Sequence, residues 1–187
     1  MRGRPPVDGR LDGRPGPSAR RGGRAKKGGA AAQALDRSRG GFSTKLIAVA
    51  CDEDGVVAVD VAEGQRNDAP LAKSVLIQAR DAVGEVAEVL GDKGVDSDAV
   101  RDVVLDDLDA LPVIPNRRNR KEPWPWDDET QEIYKQRNRV ERAFAKAKQF
   151  RRFATRYEKL KDVYLGVARL VFGFIHVRKL AQSVKTA

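Results

Sequence analysis

Residues 43–62, STKLIAVACDEDGVVAVDVA, restrict the possible folds more than any other stretch of this chain. Two apolar runs, 43–51 and 56–62, flank Asp52-Glu53-Asp54-Gly55. Asp-Gly between two such runs is a tight-turn signal, so the stretch predicts an antiparallel hairpin. Any fold for the chain must accommodate that hairpin.

The later segments alternate in type. Residues 63–68 are polar and read as a loop, and Asp68 can cap a helix from Ala69 to about Ala82, with Pro70 tolerated in its first turn. Residues 86–90, VAEVL, read as a buried strand ending in Gly91-Asp92-Lys93-Gly94. Asp96 or Ser97 then caps a helix reaching about Leu108. Residues 111–115, LPVIP, read as an edge strand because of their prolines. NRRNRK (116–121) is a basic loop, PWPWDD (123–128) a rigid connector, and helices are expected over roughly 129–151 and 158–182. The order predicts an α/β layered domain with a mixed sheet. No internal repeat is visible.

Charge divides the 187 residues into three parts. Residues 1–45 hold 12 Lys/Arg against 3 Asp/Glu, residues 46–112 hold 5 against 16, and residues 113–187 hold 19 against 8. An acidic middle between basic arms suits a protein that grips a polyanion and needs carboxylates for metal. A single Cys51 excludes an internal disulfide and fits a reducing cytoplasm, and one Cys with one His argues against zinc. The N-terminus has no apolar signal region, and the most apolar run, 163–177, carries Arg169 and His176, so it predicts a buried helix and no membrane contact. Residues 1–33, rich in Arg, Gly, Pro and Ala, read as a disordered basic arm, and residues 34–187 as the folded domain.

Two places can carry chemistry. Asp92 comes just after the end of a buried strand, where open α/β sheets gather their ligand sites and where a carboxylate can hold a hard cation. A turn-forming aspartate is the plain alternative. Tyr134, Arg137, Glu141 and Lys148 stand at offsets of 3, 7 and 14, which at about 100° per residue falls within roughly 60° of one helix face. A solvated row of ion pairs is the ordinary meaning of such a face. Carboxylates around two metal ions are the other, since one ion can activate an attacking oxygen while the second stabilises the leaving one. Trp124 and Trp126 are expected to pack the connector against the domain, His176 to be packed and hydrogen-bonded, and Arg151, Arg152 and Arg156 to continue a basic surface.

Tyr134-x2-Arg137-x3-Glu141-x6-Lys148 resembles the Y-R-E-K signature of the DDE transposases of bacterial insertion sequences. Residues 34–45, ALDRSRGGFSTK, resemble the family's approach to its second strand, and GDKGVDS (91–97) resembles the motif around its second catalytic Asp. IPNRRNRK (114–121) and KQFRRFATRYEK (148–159) look like further family stretches, so the resemblance covers about residues 34–182. Val95 stands where the family usually has Tyr, and Asp36 where it usually has Gly.

The resemblance implies a ribonuclease-H-like fold, a mixed sheet flanked by helices, here with its first strand missing or degenerate. It implies that Asp92 and Glu141 bind metal, with two Mg²⁺ or Mn²⁺ ions in a complete site. It also implies that Tyr134, Arg137 and Lys148 contact double-stranded DNA at insertion-sequence ends and target. Arg117, Arg118 and Arg120 of the basic loop are added as phosphate contacts. The implied reaction is metal-assisted hydrolysis freeing a 3′-hydroxyl, then strand transfer, by a protein of the bacterial cytoplasm and nucleoid acting as a homodimer on DNA. The alternative is a non-catalytic, basic DNA-binding remnant of a transposase.

The first catalytic Asp belongs on the first strand, with Gly as its next residue. Asp12-Gly13 falls at the expected spacing, and Asp8-Gly9 is the second candidate. Residues 14–23, RPGPSARRGG, hold two prolines and three glycines and do not read as a strand. Their codons admit a reading one base later, Val-Arg-Ala-His-Gln-His-Ala-Ala-Gly-Ala, which closely resembles the family's segment after its first Asp. Residues 1 to about 24 are therefore expected to be out of the family frame, with an upstream-frame polypeptide as a possible partner and impaired activity for this chain alone.

Overall fold

The computed structural model describes residues 7–15, 36–38, 41–51, 55–63 and 68–186. Six strands form one sheet: β1 Val7–Pro15, β2 Asp36–Ser38, β3 Gly41–Ala50, β4 Val56–Glu63, β5 Glu88–Gly91 and β6 Leu111–Val113. The hairpin expected at 43–62 is the pair β3–β4, antiparallel from Thr44↔Glu63 to Ala50↔Val56, with an irregularity at Val49/Ala50. Residues 52–54 of its turn lie outside the described residues, but the backbone N–H of Cys51 donates to the carbonyl of Gly55 at 3.0 Å and closes the loop.

The first strand is present, which corrects the expectation of a missing one. β1 runs antiparallel to β3, from Asp8↔Ala50 to Pro15↔Ser43, and parallel to β5, from Val7↔Val89 to Gly9↔Gly91. Arg14 and Pro15, read from sequence as unable to form a strand, are its last two residues. Pairing on both sides outweighs the weak strand propensity of VDGRLDGRP, because tertiary context overrides local preference. A strand-final Pro15 can be accommodated, since only one donor is lost there. Nine residues of the stretch read as a disordered arm thus belong to the sheet, while 1–6 and 16–33 lie outside the described residues.

The strands run β4-β3-β1-β5-β6, with β2 extending the β3 edge at Asp36↔Ser43 to Ser38↔Gly41. Apart from the three-residue β2, three antiparallel strands come first and two parallel ones after them, so the fold is ribonuclease-H-like. β6 is an edge strand, as its prolines predicted; it pairs with β5 from Glu88↔Leu111 to Leu90↔Val113.

Alternation along β3 divides the core between two layers. Ile47 and Val49 join Val75, Leu76 and Ala79 of α1 (Asp68–Val83) and Val100 of α2 (Asp98–Asp102). Leu46, Ala48 and Ala50 join Val140, Phe144 and Ala147 of α4 (Asn138–Lys148), Phe153 of α5 (Arg151–Thr155) and Tyr164, Ala168 and Phe172 of α6 (Lys161–Thr186). Both faces of the sheet are covered, and so the hairpin reads as nearly unbroken apolar runs.

Two predicted helices differ in detail. The helix expected to reach Leu108 becomes a π segment over Val103–Asp107, closed by the Leu108 N–H on the Val103 carbonyl at 3.1 Å. The helix expected over 129–151 is α3 (Asp128–Tyr134), a 3₁₀ turn (Lys135–Arg137) and α4. Among the described residues, no helix is long and apolar enough to cross a membrane.

Candidate active site

β5 ends at Gly91, and the chain turns at once. Asp92, in extended conformation at φ −83°, caps the 3₁₀ turn Lys93–Val95 by accepting from the Gly94 N–H through Oδ1 at 2.8 Å. Its Oδ2 has no hydrogen-bond partner among the described residues. The tight turn explains the glycine before it: a Cβ on Gly91 would lie 2.5 Å from Val95 Cγ2 and 3.2 Å from Ile114 Cγ1. Val95, at the position where Tyr is usual in the resembling proteins, is buried in this contact.

β1 brings both candidate first aspartates to this sheet end. Asp8 pairs in register with Leu90, and Gly9 with Gly91. Continuing the register by one residue sets Arg10 level with Asp92. Asp8 and Asp12 each lie two residues from that level, about 7 Å along the strand.

α4 packs across β1 and β3, and the 3₁₀ turn before it lies beside β5. This turn advances about 120° per residue in place of about 100°, so Tyr134 is rotated relative to an unbroken helix. The polar residues still meet. Arg137 Nη2 donates to Glu141 Oε1 at 2.9 Å, and the Arg137 guanidinium lies 5.4 Å from the Tyr134 ring centroid. Trp126 meets the same ring edge-on at 5.3 Å. The ion pair of the ordinary helical reading is therefore present, and it involves the carboxylate singled out for metal binding. Lys148 is exposed at the other end of α4, seven residues or about 10 Å further along the axis. Among the described residues, no group of three His, Cys, Asp or Glu side chains gathers where it could hold a metal. The donor chemistry of Asp92 and Glu141 is that of hard-cation ligands, and the open Oδ2 of Asp92 suits such an ion.

The basic loop is tied to the Asp92 turn by bonds that sequence reading did not anticipate. Arg117 Nε donates to the Lys93 carbonyl at 2.9 Å, and its Nη2 to the Gly94 carbonyl. The Arg117 N–H donates to Asp96 Oδ2 at 2.7 Å. Arg120 Nη1 donates to Asp96 Oδ1 at 2.8 Å, and its Nη2 pairs with Asp98. Ser97 caps α2 through the Val100 N–H at 3.3 Å, so Asp96 is left to serve this network. Arg101, on α2, donates from Nε to Asp96 Oδ1 at 3.0 Å and from Nη2 to the Ile114 carbonyl at 2.6 Å. Burial lowers the Arg101 pKa, and its bond and charge interaction with Asp96 act in the opposite direction. The one available sequence signal was Arg101 among the apolar-spaced Val100, Val103 and Val104. Of the three arginines proposed for phosphate contact, Arg118 alone is exposed with no such internal bond, among the described residues.

The remaining expectations divide. Asn116 Nδ2 donates to the Trp124 carbonyl and its Oδ1 accepts from the Trp124 N–H, both at 2.9 Å, while the Arg101 guanidinium stacks 4.9 Å from the Trp124 ring. Trp124 and Trp126 pack the connector, as predicted. Arg156 does not continue the basic surface: it is fully buried at 0% exposure, with Nε on the Glu158 carbonyl and its guanidinium 4.8 Å from the Tyr164 ring. The αL turn at φ 46° that ends α5 directs it inward. His176 is half-buried, and its Nδ1 has no hydrogen-bond partner among the described residues.

Known proteins match the chain over most of its length. The family model for the transposase DDE domain matches residues 7–172, a span that includes β1 and both halves of the site. A Brucella ovis protein named as a transposase for insertion sequence element IS6501 is 30% identical over 138 residues, which is 73% of this chain and 100% of that protein. The chain belongs to the transposase DDE domain family. Among solved structures, the chain is similar to the Mos1 strand transfer complex, at 21% identity and a TM-score of 0.37 over 58% of this chain. It is also similar to the Mos1 mariner paired end complex with Mn, at 20% identity and a TM-score of 0.37 over 58% of this chain. The chain spans 34% and 35% of the length of those two solved chains.

Proposed function

We propose that this chain is the catalytic domain of an insertion-sequence transposase, cutting and joining DNA at the element's ends. The observation that carries the reading is the convergence of Asp92 and β1 at one sheet end, with α4 and Glu141 laid across β1. Asp92, Glu141 and one β1 aspartate, Asp12 or Asp8, would hold Mg²⁺ or Mn²⁺, two ions in a complete set. Bound there, the metal would supply charge stabilisation and an activated oxygen for phosphodiester chemistry.

The chain's own residues have separate tasks in this reading. Arg137 positions the Glu141 carboxylate through its bond to Oε1. Tyr134 and Lys148, at the two ends of that face, orient the DNA backbone, and Arg118 adds a phosphate contact from the basic loop. Arg117 and Arg120 act indirectly, by fixing the Asp92 turn. Turnover by the chain alone is low, because neither β1 aspartate is level with Asp92. Double-stranded DNA, a second copy of the chain and an upstream-frame polypeptide are the partners of this proposal.

A second reading, a DNA binder without catalysis, draws on the Arg137–Glu141 ion pair, which engages one proposed metal ligand. Nicking of element-end DNA with and without Mg²⁺ decides between them. Asp92→Asn keeps the oxygen that caps Gly94 and removes the charge. Catalysis predicts slow, metal-dependent nicking that this variant lowers by orders of magnitude. Salt-sensitive binding with no nicking, unchanged in Asp92→Asn and Glu141→Gln, would establish the second reading. Asp8→Ala and Asp12→Ala, assayed side by side, identify the first carboxylate.

A further inference from the structure

The helical stretch that leads to Glu141 begins where the core does not reach. Between Asp128 and Arg139 no side chain is buried, and core packing of α4 starts at Val140. Tyr134 and Arg137 both fall in this stretch, and Arg137 bonds the Glu141 carboxylate at 2.9 Å. Short helical pieces draw their stability from tertiary packing, so contacts outside the core must orient this one. Trp126 supplies such a contact. Its ring meets the Tyr134 ring edge-on at 5.3 Å, a favoured geometry for aromatic pairs. The Tyr134 ring in turn lies 5.4 Å from the Arg137 guanidinium. Trp126 thus reaches Glu141 through two side chains.

Two residues earlier, Trp124 reaches the other half of the site. Its ring lies 4.9 Å from the guanidinium of buried Arg101, whose Nε donates to Asp96 at 3.0 Å. Asp96 also accepts from the Arg117 N–H, and the Arg117 side chain donates to the Lys93 and Gly94 carbonyls of the Asp92 turn. The backbone between the two rings has little freedom. Asn116 bonds both the N–H and the carbonyl of Trp124 at 2.9 Å. Pro123 and Pro125 fix their own φ and keep Glu122 and Trp124 extended. Both prolines are exposed, so they act through the backbone they fix and not through burial. Asp127 then caps α3 by accepting from the Thr130 N–H at 2.8 Å. The cap lies three residues after the clamped Trp124, a span of at most about 11 Å, which leaves no slack.

We infer that PWPW (123–126) is a strut that sets the Glu141 carboxylate against the Asp92 turn, with Trp124 and Trp126 as positioning residues for the two halves. The inference rests on the proposed function for the roles of Asp92 and Glu141; the contacts of the strut do not. The Glu141 side chain is 38% exposed, so burial alone does not fix its rotamer. The route through Trp126, Tyr134 and Arg137 does so, and the route through Trp124 and Arg101 ties the same connector to Asp92. Displacements of about 1 Å among reacting groups can cost about a hundredfold in rate, which is the precision such a strut serves.

Pro125→Gly is the most direct test, because it frees the strut and leaves both rings and every charge in place. Amide exchange of the full chain, without DNA or metal, gives the first readout. Pro125→Gly and Trp126→Leu should each speed exchange over residues 128–139 about tenfold and leave β3 and β4 unchanged, and Trp126→Phe should restore most of the protection. Nicking of element-end DNA gives the second. The same two variants should lower kcat about tenfold or more and raise the Mg²⁺ concentration for half-maximal rate, with DNA affinity unchanged. Unchanged exchange over 128–139 overturns the inference. Faster exchange with normal nicking and normal Mg²⁺ dependence also overturns it. So does a loss of DNA affinity in Trp126→Leu that accounts for its loss of nicking, which would make the ring a DNA contact. A wild type that does not nick strikes the proposed function, and the exchange result then decides the inference alone.

Discussion

Arg101 and Asp96 form an ion pair at 3.0 Å with both side chains 1% exposed, and this pair joins α2, the Asp92 turn and the basic loop. Asp96 Oδ1 also accepts from Arg120, while Oδ2 accepts from the Arg117 N–H. Asp96→Ala leaves the Arg101 guanidinium buried without its partner. We expect a loss of about 3–5 kcal/mol in denaturant unfolding. Replacing both residues by apolar ones of similar volume should cost less than Asp96→Ala alone, since the stranded charge is removed too. Equal losses would show that the pair is not the source.

Gly91 is required by space, not by backbone freedom. Its Cβ position collides with Val95 Cγ2 at 2.5 Å, so Gly91→Ala must push the Asp92 turn away from Ile114. The expected cost is about 1–3 kcal/mol, read as a fall in Tm. Val95→Ala, added to Gly91→Ala, should recover part of it by removing the colliding methyl. A double variant whose loss equals the sum of the two single losses would contradict this geometry.

The start of α3 should be acid-sensitive. Hydrogen bonds from Thr130, its hydroxyl first and its backbone N–H next, hold the Asp127 carboxyl below the usual carboxylate range. A lowered folded pKa gives stabilisation that is fully present above the unfolded value and is lost as pH falls through the folded one. Amide exchange in α3 should therefore rise as pH drops below about 4, after correction for the intrinsic rate. In Asp127→Ala that extra rise should vanish. Persistence of the rise would assign it to another acid.

Arg118 and Arg120 should separate in function. Arg118→Ala should leave stability within about 0.5 kcal/mol and lower the salt dependence of DNA binding by about one phosphate contact. Arg120→Ala removes bonds to Asp96 and Asp98, so it should lower Tm. A salt slope unchanged by Arg118→Ala would remove that residue from the DNA surface.

Much of this was legible along the chain. The β3–β4 hairpin, the strand before Asp92, the edge strand and the helices of both layers come from apolar period and turn chemistry, which are local. The Arg137–Glu141 pair was also local, as an i, i+4 relation on one helix. β1 was not legible, because VDGRLDGRP carries no strand pattern and is held by β3 and β5 on either side. Nor was the inward turn of Arg156, which depends on one αL residue and the Tyr164 ring. The Asp96–Arg101–Arg120 network joins residues up to 24 positions apart, and spacing along a chain carries no record of such meetings. Family membership could be read from short motifs because their residues lie within single turns and helices. Whether Asp8, Asp12, Asp92 and Glu141 serve one site depends on strand register and on how α4 crosses the sheet, and long-range packing sets both.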